Sequence, residues 1–346
     1  MDQPIRFVDA HLDLAYNAGR GRDITRPAAE QPDDHGEAAT VGLPDLQAAG
    51  CDLVCGTLFC LPQSDKEPGY SNAAGAIEQA DKQLSAYETL EANGQLRMIR
   101  TAGELDGDGL GLIVLMEGAD AMTLPGEATD ATTPAGWFRR GVRMVGLAWQ
   151  ATRYTAGTGA NGPLTDDGRA LVPLLDEAGF IHDASHLAEA ALDELLDLAS
   201  RPICASHSNC RSIVGEDPAG RHLPNRQIEA LTKRGGVIGV VFYDRFLLPP
   251  AEKAIRRANF SDVLDHIARI CDLAGDARHV GIGSDFDGGF GNQHVPEEMT
   301  SAADLPKLAD ALASAGFSDA DIRNICGDNW RRFFLEHLPS RVSSNQ

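Results

Sequence analysis

The sequence is poor in the features that mark secreted, membrane-spanning and disulfide-linked proteins. Its seven cysteines include no C-x-x-C pair, and no apolar run approaches the ~18 residues of a membrane span. The first predicted strand begins at Ile5, which leaves no room for a signal peptide before it. These absences predict reduced, buried cysteines, no membrane association and a cytoplasmic protein.

Basic residues are also scarce: 30 Lys and Arg stand against 51 Asp and Glu, which gives a formal net charge of −21. A surface of this sign repels nucleic-acid phosphates and anionic lipid, so we expect neither as a partner. The apolar fraction of 43 % is ordinary and allows a full hydrophobic core. We therefore expect a globular protein that binds neither nucleic acid nor anionic membranes.

The chain alternates short apolar runs with helical patterns. The apolar runs lie at Ile5–Ala10, Leu53–Phe59, Leu112–Met116, Val142–Ala148, Phe180–Ala184, Ile203–Ser206, Val237–Phe242 and Val280–Ser284. Helical patterns separate most of them, for example at Ala73–Asn93 and Asp262–Ala274. Eight strands that alternate with helices predict an α/β fold, a (β/α)8 TIM-like barrel. A shorter run at Leu96–Arg100 predicts a small extra strand outside it.

We predict a single domain over residues 1–346, because a (β/α)8 barrel of about 250 residues with insertions accounts for this length. Two polar segments, 17–42 and 123–136, follow the first and third predicted strands and are too long for ordinary connections. Both should lie over the active-site face, although solvated surface insertions are the alternative. Helices at Ala302–Ala315 and Asp319–Phe334 are expected to pack against the barrel.

Histidine and acidic side chains recur at the ends of the predicted strands. The first run ends in "VDAHLD", the third in "LIVLMEG", the fifth in "HDASH", the sixth in "CASHS" and the eighth in "GSDFDGG". Because barrel strands end at one mouth, these side chains should share a cavity: His11, Asp13, Glu117, His186, His207 and Asp285. Each histidine alone would be an ordinary core or surface residue, so the prediction depends on the joint pattern.

Imidazole nitrogens and carboxylate oxygens are preferred ligands of Zn²⁺ and related ions. Five ligands exceed the needs of one open catalytic zinc and fit two ions bridged by a carboxylate. We predict Glu117 as the bridge, with His11 and Asp13 on one zinc and His186 and His207 on the other. A water held between two such ions loses its proton near neutral pH and becomes a nucleophile.

Other residues are assigned around this centre. Asp285 is not needed as a ligand, so we predict that it takes the proton from the water and returns it to the leaving group. Arg221 could hold a substrate carboxylate through two hydrogen bonds, with an exposed surface arginine as the alternative. Tyr243 is expected either to line the cavity or simply to pack. One of Asp285 and Asp287 is expected only to order the turn "DFDGG".

Stretches along nearly the whole chain resemble the renal (membrane) dipeptidases of the amidohydrolase superfamily. They include "DAHLDL", "LMEGADAM", "RRGVRMVGLAWQ", "RPICASHSNCRSI", "HVGIGSDFDGG" and "NICGDNWRRFF". The resemblance implies a barrel with two zinc ions that cleaves the amide bond of dipeptides, and it suggests a homodimer. It implies the ligands named above and Asp285 as the acid and base. It also implies Arg221 at the substrate's C-terminal carboxylate and Tyr243 near the pocket.

The sequence departs from this family at Trp149. The family usually has a histidine near the end of the fourth strand that stabilises the tetrahedral oxyanion, and the register of "GVRMVGLAWQ" places Trp149 there. An indole only donates and carries no charge, and losing an oxyanion donor can cost roughly 10²–10³ in rate. A zinc, Arg153 or His182 could replace the donor. Alternatively the zinc centre acts on another small amide, an N-acyl amino acid or a lactone, or the chain binds metal without catalysis.

Overall fold

The structure, a computed structural model, describes residues 4–64 and 68–341. Its strands are β1 Phe7–Leu12, β2 Cys51–Phe59, β3 Arg97–Met98, β4 Gly111–Glu117, β5 Val142–Gly146, β6 Ile181–Asp183, β7 Ile203–Cys204, β8 Ile238–Val240 and β9 Val280–Ile282. Eight of them follow the order β7-β6-β5-β4-β2-β1-β9-β8, and all pairs are parallel. A parallel bridge between Ala205 and Ile238 joins the two ends. The predicted (β/α)8 barrel is therefore confirmed.

The strand β3 lies off the barrel path, where it pairs with the first two residues of β4. Arg97 is opposite Gly111 and Met98 is opposite Leu112 in this pairing. This is the small extra strand that the run Leu96–Arg100 predicted.

The helices that surround the barrel follow the predicted alternation. They are α1 Leu14–Gly19, α2 Leu43–Ala49, α3 Ala73–Ala92, α4 Pro134–Arg139, α5 Asp166–Ala178, α6 Glu189–Leu198, α7 Arg211–Val214, α8 Asn225–Lys233, α9 Asp244–Leu247, α10 Pro250–Lys253, α11 Phe260–Ala274, α12 Pro306–Ser314, α13 Asp319–Arg323 and α14 Asn329–His337. A π-helical turn, Asn324–Asp328, joins α13 to α14. None of the described helices combines the length and the apolar character that crossing a bilayer requires.

Local sequence explains where several helices begin. Asn259 caps α11 through a reciprocal capping box with Asp262, as this residue type at this spacing favours. The predicted helix Ala302–Ala315 is divided into a 3-10 turn at Ala302–Asp304 and α12, which begins at Pro306. Proline lacks an N–H and suits the first turn of a helix, so it marks the start of α12.

The apolar core has an inner part within the barrel and an outer part between the strands and the helices. The inner part includes Val8, Leu53, Ile113, Leu115 and Met144, together with Trp330, Phe333 and Phe334 of α14. The indole of Trp330 donates to the Ile282 carbonyl at 3.0 Å, and a Cβ at Gly281 would collide with that ring. Three aromatic rings of α14 thus pack against the inner part of the core.

Candidate metal centre

The side chains predicted for the site leave the barrel at equivalent positions. Glu117 is the last residue of β4, and His11 lies one residue before the end of β1. Several others lie three residues beyond a strand end: Trp149 after β5, His186 after β6, His207 after β7, Tyr243 after β8 and Asp285 after β9. Because all barrel strands are parallel, their carboxyl ends form one rim, where these residues meet.

The carboxylate of Glu117 lies among the three histidines. Its Oε2 is 3.3 Å from His11 Nε2, and its Oε1 is 3.2 Å from His186 Nε2 and 3.7 Å from His207 Nε2. All four side chains are buried. The two oxygens of one carboxylate therefore face imidazoles on different sides of the rim.

Asp13 and Asp285 lie on the His11 side of Glu117. His11, Asp13 and Asp285 each place one possible ligand atom within 4.8 Å of the others. Asp13 accepts a hydrogen bond from the Thr57 hydroxyl, and Asp285 Oδ1 is 3.9 Å from His11 Nε2. We call this group, and the neighbouring group formed by Glu117, His186 and His207, the two donor sets.

The donor sets fit divalent metal ions. His11 Nε2 is buried and makes no well-directed hydrogen bond within the described chain. The Nε2 atoms of His186 and His207 lie 2.8 Å apart, while the Nδ1 atom of each ring is held by a hydroxyl group. Nitrogen and carboxylate oxygen are the ligands that zinc prefers, so these residues can hold a metal centre.

Burial and neighbouring charges set the protonation of this cluster. Burial would raise the pKa of Glu117, but the charge and hydrogen bond of His11 and those of His186 hold it well below its ordinary value. Burial would lower the pKa of His11, but Glu117 raises it to about 10. Burial lowers the pKa of His186 to about 4 and that of His207 well below its ordinary value. His186 and His207 are thus neutral near pH 7, the form that binds metals.

Buried Asp9 holds His11 and the loop of Asp285 in register. Its Oδ1 accepts hydrogen bonds from the backbone N–H groups of Ser284 at 3.0 Å and of His11 at 3.2 Å. The pairing of β1 with β2 is irregular between Asp9 and Leu12. An irregularity of this kind re-aims side chains, which accounts for a histidine that faces the rim here.

Strained backbone is concentrated at the same rim. His186, Asp285 and Asp287 have φ angles of 66°, 63° and 61°. Non-glycine residues rarely adopt this region, which costs of order 1–3 kcal/mol each and often marks functional sites. Hydrogen bonds hold two of these residues in the strained conformation. His186 Nδ1 lies 2.9 Å from the Thr158 hydroxyl, and Asp285 N donates to the His11 carbonyl at 3.2 Å.

The two aspartates of "DFDGG" have different surroundings. Asp287 Oδ1 lies 2.7 Å from Arg22 Nη1 and accepts from Thr40 N at 2.7 Å and Thr40 Oγ1 at 2.8 Å. Among the described residues, none donates a hydrogen bond to the Asp285 carboxylate, which lines a cavity. Burial raises the pKa of Asp285 well above its ordinary value, and Asp13 and Glu117 add to this effect. Asp287 is held in the loop by these bonds, whereas the described chain donates no hydrogen bond to the Asp285 carboxylate; both residues line the cavity.

The cavity above the donor sets has a volume of about 420 Å³. Asp13, Glu117, His186 and Asp285 supply polar wall, and an aromatic wall consists of Tyr16, Phe59, Trp149, Tyr243, Phe246 and Phe290. The rings of Phe59 and Trp149 meet edge to face at 5.1 Å, and those of Tyr243 and Phe290 stack at 4.4 Å. The segment 17–42 contributes several lining side chains; within the described chain, 123–136 contributes none.

Arg221 is buried beside the ligands, since its exposed fraction is 3 %. This burial rules out an exposed surface arginine. Its Nη2 donates to the His207 carbonyl at 2.7 Å and its Nη1 to Ser208 Oγ at 3.3 Å, while its Nε has no partner in the described chain. Arg221 is not among the residues that line the large cavity, whereas Trp149 and Tyr243 are.

The two side chains considered as replacements for the missing histidine lie elsewhere. Arg153 forms ion pairs with Glu127 at 2.6 Å and with Asp167 at 2.9 Å. His182 turns toward α5, where its Nε2 lies 2.7 Å from Asp176 Oδ1. Neither lines the cavity.

The sequence analysis did not select Thr158, Asp183 or Ser206. Thr158 and Ser206 contact the Nδ1 atoms of the histidines, and Asp183 accepts from Ser206. Ser206 Oγ lies within hydrogen-bond distance of both His11 Nδ1 and His207 Nδ1. A signal for the serine was present, because the tripeptide Ala-Ser-His occurs twice, at 184–186 and 205–207. No comparable repeat points to Thr158.

Comparisons with known proteins identify the family of this chain. The profile of the membrane dipeptidase family (peptidase family M19) matches residues 2–342. Two solved structures superpose with a TM-score of 0.81. Dipeptidase AC, a metallo peptidase of family M19, is 27 % identical and covers 98 % of this chain and 100 % of its own. A metallo peptidase from Rhodobacter sphaeroides, liganded with a phosphinate mimic of L-Ala-D-Ala, is 26 % identical and covers 97 % and 100 %.

Among curated proteins, dipeptidase verJ from Clonostachys rogersoniana is 30 % identical over 262 residues, which are 70 % of this chain and 64 % of that protein. The chain thus spans somewhat less than two thirds of this fungal relative. The family match over almost the entire sequence confirms the resemblance read from the motifs. The chain therefore belongs to the membrane dipeptidase family, peptidase family M19, and is a metal-dependent hydrolase that acts on peptide bonds.

Proposed function

We propose that this chain is a binuclear zinc dipeptidase, with the whole of residues 1–346 forming one catalytic domain. The observation that carries this proposal is Glu117, whose two carboxylate oxygens face His11 on one side and His186 and His207 on the other. A carboxylate in this position suits a bridge between two ions. The relatives named as dipeptidases and the dipeptide mimic in the Rhodobacter sphaeroides structure support a dipeptide as the substrate.

The ligands divide into two groups that share Glu117. His11 and Asp13 would hold one zinc, and His186 and His207 the other. When both ions are bound, they supply a water of lowered pKa and polarise the carbonyl of the scissile bond. Neutral imidazoles at His186 and His207 need no deprotonation before they bind.

Asp285 is the proposed proton carrier. Its carboxylate faces the cavity close to His11 and Asp13 and accepts no hydrogen bond within the described chain. It would take a proton from the water whose oxygen bonds to the carbonyl carbon, and deliver that proton to the amide nitrogen as the carbon–nitrogen bond breaks.

Two further residues are proposed to bind the substrate. The guanidinium of Arg221 lies beside His207 with an unpartnered Nε–H but does not line the cavity, so it would pair with the C-terminal carboxylate of a dipeptide after turning toward the cavity. Tyr243 and the neighbouring aromatic rings form a low-polarity wall that shields the reacting bond from bulk water. The segment 17–42 would cover the bound substrate from above.

The function is tested by assaying zinc-loaded protein against a panel of dipeptides, both L,L and L,D. We expect release of free amino acids, complete loss of activity after chelation, and recovery when Zn²⁺ is added back, because the donor sets hold ions rather than a covalent cofactor. The zinc content should be two ions per chain by elemental analysis. A zinc-loaded, folded protein that cleaves none of the dipeptides would contradict the proposal.

A second candidate function keeps the metal centre and changes the substrate. The observation that favours it is Trp149, an indole that lines the cavity 6.5 Å from His186 in ring-centroid distance. An indole donates but carries no charge, so it is a weaker oxyanion partner than an imidazolium. In this case the substrate is another small amide, an N-acyl amino acid or a lactone.

Replacing Trp149 by histidine separates the two functions. For a dipeptidase we expect kcat on dipeptides to rise by up to roughly 10²-fold, because an imidazole can supply the positioned donor. The matched control is Trp149→Phe, which keeps an aromatic wall and removes the N–H. The measurement is kcat and KM on one dipeptide, one N-acetyl amino acid and one lactone. Preference for either of the last two by orders of magnitude in the wild type would favour the second function.

A further inference from the structure

A single hydroxyl group touches histidines that belong to both donor sets. Ser206 Oγ lies 3.0 Å from His11 Nδ1 and 2.8 Å from His207 Nδ1. Its other contacts are Asp183 Oδ2 at 2.5 Å and the Ser185 hydroxyl at 3.3 Å, whose own hydrogen goes to Asp183 Oδ1. All five side chains are buried, with exposed fractions of 2 % or less, so water does not compete for these bonds.

Asp183 directs the hydrogen of this hydroxyl. Its Oδ1 already accepts from Ser185 N at 3.0 Å, Ser185 Oγ at 2.7 Å and Ser206 N at 2.8 Å. An ionised carboxylate only accepts hydrogen bonds, and a hydroxyl has only one hydrogen to give. The Ser206 hydrogen therefore goes to Asp183 Oδ2, and the Ser206 oxygen must accept from both rings.

The consequence is that His11 and His207 both carry a hydrogen on Nδ1. In the neutral form of each ring, to which His11 is converted when a metal displaces its second proton, Nε2 remains as the ligand atom, and these atoms lie 3.3 Å and 3.7 Å from Glu117. His186 is held separately, since its Nδ1 lies 2.9 Å from the Thr158 hydroxyl. The carbonyl of Ser206 packs closely on Gly239 and Gly283, where a Cβ would collide with it.

We infer that Asp183 and Ser206 form a positioning pair that sets the tautomer of one histidine in each metal site and so couples the two sites. This inference rests on the proposed binuclear centre. Asp183 could itself be grouped with His11 and His207 as a ligand by distance alone. Its two oxygens, however, already accept four hydrogen bonds, which makes it a support for the ligands.

The test compares Ser206→Ala with Thr158→Val in titrations of the metal-free protein with Zn²⁺. Loss of an outer hydrogen-bond partner typically weakens metal binding by 10–100-fold. We expect Ser206→Ala to weaken both zinc steps by this factor, and Thr158→Val to weaken only the step assigned to His186. Ser206→Thr keeps the hydroxyl and should restore binding at both steps.

A second readout reports the tautomers directly. In zinc-loaded protein with ¹⁵N-labelled histidine, the Nδ1–H resonances of His11 and His207 should both shift in Ser206→Ala and in the near-isosteric Asp183→Asn. An asparagine amide can donate to Ser206, which turns the Ser206 hydrogen toward a ring and should impair one histidine as a ligand. A purely structural role would not move both resonances together.

Three outcomes would overturn parts of the scheme. Unchanged zinc affinity and unchanged ring resonances in Ser206→Ala would overturn the positioning pair but leave the dipeptidase proposal intact. Loss of only one zinc step in Ser206→Ala would overturn the coupling of the two sites. Failure of the wild-type protein to bind two zinc ions would instead overturn the binuclear centre itself.

Discussion

Asparagine in place of Asp285 is expected to lower kcat on a dipeptide by roughly 10²–10⁴-fold while both zinc ions stay bound. Asparagine keeps the shape of the side chain but cannot take up a proton. The Asp285 carboxylate, which lines the cavity, accepts no hydrogen bond in the described chain, so its replacement breaks none there. The measurements are kcat, KM and zinc content on the same preparation.

The matched control is Asp287→Asn, the same change two residues away in the same turn. Asp287 is paired with Arg22 and Thr40, so its replacement should lower the melting temperature by weakening a buried ion pair. We expect kcat of Asp287→Asn to stay within about tenfold of the wild type. If Asp285→Asn instead lost one zinc, Asp285 would be a ligand, as its distance to His11 also permits. An unchanged rate would remove the proton-transfer role.

Glutamine in place of Glu117 is expected to remove at least one of the two zinc ions and to lower kcat/KM by at least about 10³-fold. The amide has one oxygen and no charge, so it cannot bridge two cations. Its N–H₂ group would also point at an imidazole nitrogen, which opposes metal binding on that side. The measurements are zinc stoichiometry by elemental analysis and the rise in melting temperature on addition of Zn²⁺.

Metal bound to the native state stabilises it by mass action, so the zinc-dependent rise in melting temperature should shrink in Glu117→Gln. Glu78→Gln is the control, because Glu78 is exposed on α3, where its only described partner is Lys82. We expect that control to keep two zinc ions and wild-type activity, since exposed substitutions usually change stability by under about 0.5 kcal/mol. Two tightly bound zinc ions in Glu117→Gln would show that Glu117 is not the bridge.

Much of the fold could be predicted because its signals are local. Runs such as Leu53–Phe59 and Leu112–Met116 have the length and composition of buried parallel strands, and β2 and β4 occupy nearly the same residues. Some observed strand boundaries differ from the predicted ones, because tertiary contacts end the strand earlier. The predicted strand Phe180–Ala184 is shortened to Ile181–Asp183 in β6, because strands near the rim give way to loops that hold site residues.

Residue types at the strand ends predicted which side chains would meet at the rim, because a parallel barrel must bring the carboxyl ends of its strands together. No local sequence pattern could predict which way each side chain points. His186 and Asp285 reach the rim through left-handed backbone, and His182, four residues before His186, turns outward to Asp176. The sequence also could not decide whether Arg221 is exposed or buried. The structure shows that it is buried beside His207.

The amino-acid sequence by itself determined the barrel and the family, because periodicity and motifs are local properties of the chain. The tertiary structure alone decided that Glu117 lies among His11, His186 and His207, and that Asp287, unlike Asp285, is held by Arg22 and Thr40. It also revealed that Ser206 joins the two donor sets. These relations connect residues far apart in sequence, and they exist only once the strands have closed around a common axis.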